Sequence, residues 1–130
     1  MTVELWMLAA SIALGMIHLI VSSHLISWQR GYRWTASSRE DTFPPLHGVA
    51  SRVDQAATNF LETFPFFAAL VLLTHVINHH SALTIWGVHL YFWARVAYLI
   101  AAATSLGLVR SLLCWNTAFV GLALLFVALF

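Results

Sequence analysis

Four long apolar runs dominate the chain and decide what it can become. They cover residues 5–26, 60–77, 83–103 and 106–130. Each comes close to the ~20 residues that an α-helix needs to cross a bilayer core. The runs are too long for strands, and they lack the two-residue alternation of a lipid-facing barrel. The rest of the composition agrees. Hydrophobic residues make up 61% of the 130 residues and charged residues only 8%. A soluble domain carries about a quarter charged residues. Six arginines, no lysine and five acids cannot coat a water-facing surface of this size. A single cysteine, Cys114, excludes an intrachain disulfide scaffold. A net charge of +1 gives no reason to expect a nucleic-acid partner. The chain reads as one all-α integral membrane domain over residues 1–130, with spans at about 3–28, 49–78, 82–104 and 107–130. Met1 to Glu4 has no positive charge on a side chain, and the first run exceeds a signal-peptide core, so it reads as a span.

The connections between runs differ. Residues 27–50 form the one long polar segment, with Arg30, Arg33, Arg39, Glu40, Asp41 and the pair Pro44-Pro45. The second connection, Asn78-His79-His80-Ser81, is short and has no arginine. The third lies around 104–109. By the positive-inside rule the first and third connections face the cytoplasm. Both termini and the His79-His80 turn then face the other side. The prolines disfavour helix before them and permit it after them. A second helix over 49–78 would be roughly 45 Å long, so its first turns stand at headgroup level.

Charged groups inside spans cost at least ~2.5–3.5 kcal/mol on insertion scales. This chain keeps Glu62 and Arg95 in spans and places Arg52 and Arg110 at span ends. Arg52, Gln55, Asn59 and Glu62 are spaced three, four and three apart. At the helical period they fall within an arc of roughly 80°. Lipid cannot accept such a stripe, so it must face protein or a water-filled cavity. On the third span Arg95 and Tyr98 share a face. Glu62 lies ten residues below Arg52, and Arg95 ten residues from Ser105, which puts both ~15 Å deep. The matching depth predicts a Glu62–Arg95 pair, within one chain or across a subunit boundary. Asn59 falls level with Tyr98, and Arg110 near the depth of Arg52 and Gln55. Together they predict a polar cleft rimmed by arginines. The Glu62–Arg95 pair reads first as a structural element that fixes helix register. Arg52 alone reads as a topology anchor. Arg110 has no acid near it in sequence and is free to meet an anion.

Other polar residues read more blandly. The seven histidines invite a metal or haem reading, but neither HExxH nor CxxCH occurs, and the favoured role is hydrogen bonding between helices or at the interface. No metal ligands are assigned. Trp6, Trp28, Trp34, Trp86 and Trp115 lie near span ends, as an aromatic belt requires. Trp93 lies deeper and reads as packing, as does Cys114. Ser11, Gly15, Ser22 and Ser23 are small enough for close helix approach.

The segment Arg52-x-x-Gln55-Ala56-x-x-Asn59-x-x-Glu62-x-x-Pro65-x-Phe67 resembles the signature of the membrane-associated proteins in eicosanoid and glutathione metabolism, the MAPEG family. Ala94-Arg95-Val96-Ala97-Tyr98 and Arg110-Ser111-Leu112 are similar to further segments of that family, and the likeness covers nearly the whole chain. The run Asn59-Phe60-Leu61-Glu62-Thr63-Phe64-Pro65 looks most like the small bacterial members, so a bacterial inner membrane is the expected location. The resemblance implies a homotrimer of four-helix protomers with glutathione as co-substrate between neighbours. It implies that Arg30, Arg52, Gln55, Asn59, Glu62, Arg95 and Tyr98 line the glutathione site. Arg110 would stabilise the thiolate, with Ser111 as a secondary donor. Lipophilic small molecules would enter from the membrane lipid. Two positions depart from the family pattern. Gln55 stands where an arginine usually precedes the alanine, and Ala102 where well-studied members carry a further tyrosine. The implied activity is that of a glutathione-dependent transferase or peroxidase. Two other functions fit the same pattern: a non-catalytic lipid-binding or scaffold protein of that fold, and a small transporter coupled through Glu62.

Overall fold

The structure is a computed structural model that describes residues 1–40 and 43–130. Asp41, read above as part of the polar connection, lies outside the described residues. The helices are α1 (Val3–Arg30), α2 (Tyr32–Ala36), α3 (Gly48–Val76), α4 (Ala82–Ala103) and α5 (Trp115–Val127). A π-helical turn, Val109–Cys114, leads directly into α5. Four segments are long and apolar enough to cross a membrane: α1, α3, α4 and Val109–Val127. Among the described residues there is no strand.

Each end has a local cause. Thr2 caps α1, its hydroxyl accepting from the Leu5 amide. Gly31, at φ 91°, turns the chain out of α1 in a region that other residues rarely enter. Ser81 opens α4 with a reciprocal capping box, in which the Ser81 hydroxyl accepts from the Thr84 amide and the Thr84 hydroxyl from the Ser81 amide. Pro65 sits inside α3 and cannot donate to the helix ladder.

The best-buried span is α4, which packs against α1, α3 and α5. Its contact with α5 is drawn tight at Gly87 and Gly121. A Cβ at Gly121 would meet the Gly87 carbonyl oxygen at 2.7 Å. The two backbones therefore run too close there to leave room for a side chain. Gly15 plays the same part between α1 and α3, where a Cβ would lie 2.7 Å from the Phe60 ring. The centre is aromatic. Tyr91 stacks on Phe67 with centroids 4.1 Å apart. Its hydroxyl lies 3.0 Å from that of Thr63.

At the other end of the bundle from Arg52 and Arg110, Glu4 is buried and accepts from the Thr84 hydroxyl at 2.6 Å. His80 Nδ1 lies 3.1 Å from the same oxygen. Among the described residues this is the one contact between a basic side chain and a carboxylate within 4.0 Å. It ties the start of α1 to the start of α4. Trp93 differs from its expected packing role. It is 59% exposed on the chain and meets Phe92 edge to face with centroids 5.0 Å apart.

Candidate functional site

Helix α3 brings its polar stripe to the bundle surface unevenly. Arg52 and Asn59 are half-buried, while Gln55 and Glu62 are exposed on the chain. Arg52 Nε donates to the Ala102 carbonyl at 2.8 Å. That bond satisfies a carbonyl at the end of α4, where a cation is also favoured by the helix dipole. Arg95 is 1% exposed, and its Nη1 donates to Asn59 Oδ1 at 2.5 Å. The expected pair between Glu62 and Arg95 is therefore not formed within one chain. Glu62 lies one turn too far round α3, and the inward Asn59 takes its place.

Among the described residues Arg95 has no carboxylate partner. Its guanidinium lies 5.5 Å from the Tyr91 ring centroid and 5.3 Å from that of Tyr98. Arg110 approaches the same Tyr98 ring at 5.9 Å. Both guanidiniums thus lie within 6 Å of one phenol ring. Arg95 Nε, Arg110 Nε and Arg110 Nη1 are buried and have no hydrogen-bond partner among the described residues. Buried donors of this kind are normally satisfied. Guanidiniums donate and never accept, so this cluster is complementary to an anion. Aromatic faces lower the cost of holding two cations in a span, but they do not remove the net charge.

The π turn sets the direction of Arg110. Within it the Trp115 amide reaches back to the Arg110 carbonyl, five residues away. Further along, Asn116 Nδ2 donates to the Leu112 carbonyl and the Thr117 hydroxyl to that of Leu113, each at 2.6 Å. Single π turns occur often at functional positions, where they rotate one side chain relative to the helix that follows. Here Arg110 faces Tyr98, while Cys114 is buried in a cluster with Ala56, Tyr98 and Ala102. Ser111 points outward and is exposed.

Of the nine residues singled out in the sequence, Asn59, Arg95, Tyr98 and Arg110 meet in one cluster, with Arg52 at the end of α4 beside it. Gln55, Glu62 and Ser111 lie on the outer surface of the chain. Arg30 stands apart, in a recess formed by α1 and the segment after it. Three residues of the neighbourhood lie outside those nine. Tyr91 shares the inward face of α4 with Arg95 and Tyr98, a spacing of four and three that the sequence displays. Cys114 gives no signal in sequence beyond being alone. His18 is buried in α1, bonds the Leu14 carbonyl at 2.8 Å and stacks on Phe60. Among the described residues no group of His, Cys, Asp and Glu is arranged to hold a metal ion.

An apolar groove of about 440 Å³ runs along α3 and α5 from Thr63 to Phe126. It begins one turn from Asn59.

The family model for MAPEG proteins matches residues 7–130 of the 130-residue chain. The chain belongs to the MAPEG family. Among curated proteins no relative matches it. Membership of the MAPEG family makes it a multi-pass membrane protein with a glutathione-related transferase, peroxidase or related function. The four spans of the structure are those of a MAPEG four-helix membrane bundle.

Proposed function

We propose that the protein is a membrane-embedded glutathione-dependent transferase or peroxidase for lipophilic electrophiles. The observation that carries this reading is the pair of guanidiniums, Arg95 and Arg110, set around Tyr98 with buried and unpartnered nitrogens. Two cations in a membrane span with no carboxylate partner among the described residues call for an anionic ligand. A thiolate with its accompanying carboxylates meets that need.

The roles follow from position. Arg110, at the edge of the cluster, holds the sulfur in its anionic and nucleophilic form, because a nearby cation in a region of low dielectric favours the charged state. Tyr98 lies near both guanidiniums and offers a hydroxyl within the same cluster. Asn59 holds Arg95 and keeps the second cation in place. Arg52, Gln55 and Glu62 supply polar contacts at the outer rim, Glu62 toward an amine and Arg52 toward a carboxylate. Ser111 is a secondary donor from the outer side. The bound thiol supplies the nucleophile. As thiolate it bonds to an electrophilic carbon and displaces that carbon's leaving group, or takes the outer oxygen of a hydroperoxide as the O–O bond breaks and the alkoxide leaves, gaining the thiol's proton. A second thiol then converts the sulfenic acid to a disulfide and water. The apolar groove along α3 and α5 is suited to a lipophilic partner arriving from the bilayer.

The exposed Gln55 and Glu62 support a homotrimer. A carboxylate at mid-span cannot face acyl chains, so a neighbouring protomer covers this stripe. Arg30 would reach the cleft only from such a neighbour and is left out of it here. The arginine-bearing connections are assigned to the cytoplasm. A bacterial inner membrane is the location proposed.

The test is conjugation of glutathione to a lipophilic electrophile by the purified full chain. The wild type is expected to bind glutathione saturably at millimolar concentration. Arg110→Ala is expected to lose conjugation while keeping its oligomeric mass. If the wild type binds no glutathione, the alternative of a non-catalytic lipid-binding protein holds, with the apolar groove as its site.

A further inference from the structure

The chain's single cysteine, Cys114, ends the π turn that opens the fourth span. It is a free thiol and 6% exposed. It follows Arg110 by about one helical turn, roughly 5 Å along the axis. Its packing partners are Ala56 of α3 and Tyr98 and Ala102 of α4, with Leu99 at the edge. Of these only Tyr98 and Leu99 are larger than alanine. Tyr98 is the ring that both guanidiniums approach. The sulfur therefore adjoins the cationic cluster.

A buried cysteine usually serves as a small hydrophobe. Arg95 sets this one apart. That residue is 1% exposed, and its Nε has no hydrogen-bond partner among the described residues. The Arg95 charge and the Cys114 sulfur lie within electrostatic reach of each other. A buried guanidinium nitrogen needs an acceptor, and a sulfur that gains negative charge as it reacts is one.

Reduction of a hydroperoxide leaves the first thiol as a sulfenic acid, which condenses with a second thiol or is oxidised further without return. A free second glutathione must find that species by diffusion, in a cleft whose cations the first molecule already engages. A thiol of the protein is present when the sulfenic acid forms and requires no second anion site. We propose, resting on the glutathione-dependent reading above, that Cys114 is this second thiol. Its sulfur attacks the sulfur of the glutathione sulfenic acid beside Arg110. The S–O bond breaks, and the oxygen leaves with the Cys114 proton as water. The product is a mixed disulfide between Cys114 and glutathione. A further reduced glutathione, as thiolate, attacks the glutathione sulfur of that disulfide. Oxidised glutathione leaves, and Cys114 returns as thiolate and recovers a proton. One hydroperoxide is thus reduced to alcohol and water at the expense of two thiols.

The test uses the purified full chain in detergent with reduced glutathione and cumene hydroperoxide, quenched with acid and weighed intact without reductant. With one cysteine in the chain, an adduct has one place to form. A mass increase of one glutathione less two hydrogens is expected, reversed by excess reduced glutathione and absent when oxidised glutathione alone is supplied. Cys114→Ala keeps a small apolar side chain in the packed cluster. It is expected to carry no adduct, to reduce cumene hydroperoxide several-fold more slowly, and to release glutathione sulfenic acid that dimedone traps. Absence of the adduct in the wild type under turnover would overturn the proposal. So would an adduct formed equally from oxidised glutathione alone, or a Cys114→Ala rate equal to that of the wild type. Conjugation by the wild type is measured alongside. A chain that conjugates glutathione but never links it to Cys114 refutes this role alone, whereas a chain that neither binds nor conjugates glutathione refutes both readings.

Discussion

Arg95 donates an Nη1 hydrogen to Asn59 Oδ1 and so joins the third span to the second through a neutral acceptor. The cation stays uncompensated in charge although it is bonded. This relationship leaves the cluster around Tyr98 positive, and the proposed chemistry depends on it.

Asn59→Ala should therefore cost stability as well as activity. It removes a bond to a charged group and leaves a buried guanidinium nitrogen without its acceptor. A loss of about 1.5–3 kcal/mol is expected in detergent unfolding. Asn59→Asp should restore folding and weaken the binding of an anionic ligand, because it supplies the negative charge from within. Binding isotherms for glutathione on the two variants separate these effects.

Arg110→Ala should lower the turnover of conjugation by roughly 10²-fold or more, the usual cost of removing one preorganised donor at a developing charge. Arg110→Lys should recover part of that loss, since it keeps the charge but not the planar fork of donors. The variant chains should show unchanged helicity by circular dichroism, because the half-buried Arg110 side chain makes no hydrogen bond among the described residues.

Glu62→Leu should change assembly. If a neighbour covers Glu62, the variant loses a polar partner at the boundary, and the share of multi-subunit particles in native mass spectra should fall. An unchanged distribution would show that Glu62 contributes nothing to the boundary between protomers.

Gly121→Ala should be severe for so small a change. The added methyl would press on the Gly87 carbonyl and the Tyr91 amide. Overpacking of this kind costs about 1–3 kcal/mol. Thermal unfolding in detergent checks it, with Ala123→Gly on the same helix as a control for propensity.

The spans were legible because a bilayer admits few solutions. Backbone groups must be satisfied within the segment, so apolar runs of this length become helices. The stripe of Arg52, Gln55, Asn59 and Glu62 was legible for the same reason, since its polar residues have no generic place in a membrane helix. The partner of Arg95 was not. Asn59 and Glu62 lie one turn apart, and their difference is one of facing. Depth arithmetic gives height along the bundle but not the rotation of one helix against another. The π turn at Val109–Cys114 was hidden too, because no residue in it forbids an ordinary α-turn. It shows only in the bond from the Trp115 amide to the Arg110 carbonyl. Glu4 left no trace in the sequence beyond an acid in the first turn of a helix. Its partners His80 and Thr84 are brought to it by the packing of α1 against α4.

The central claim is that the cluster around Tyr98 holds a thiol as its anion. Ultraviolet difference absorption of glutathione mixed with the full chain near neutral pH measures this directly. A saturable thiolate band is predicted for the wild type, lost in Arg110→Ala and regained in part in Arg110→Lys. A spectrum in which wild type and Arg110→Ala cannot be told apart, at glutathione concentrations that saturate binding, would contradict it.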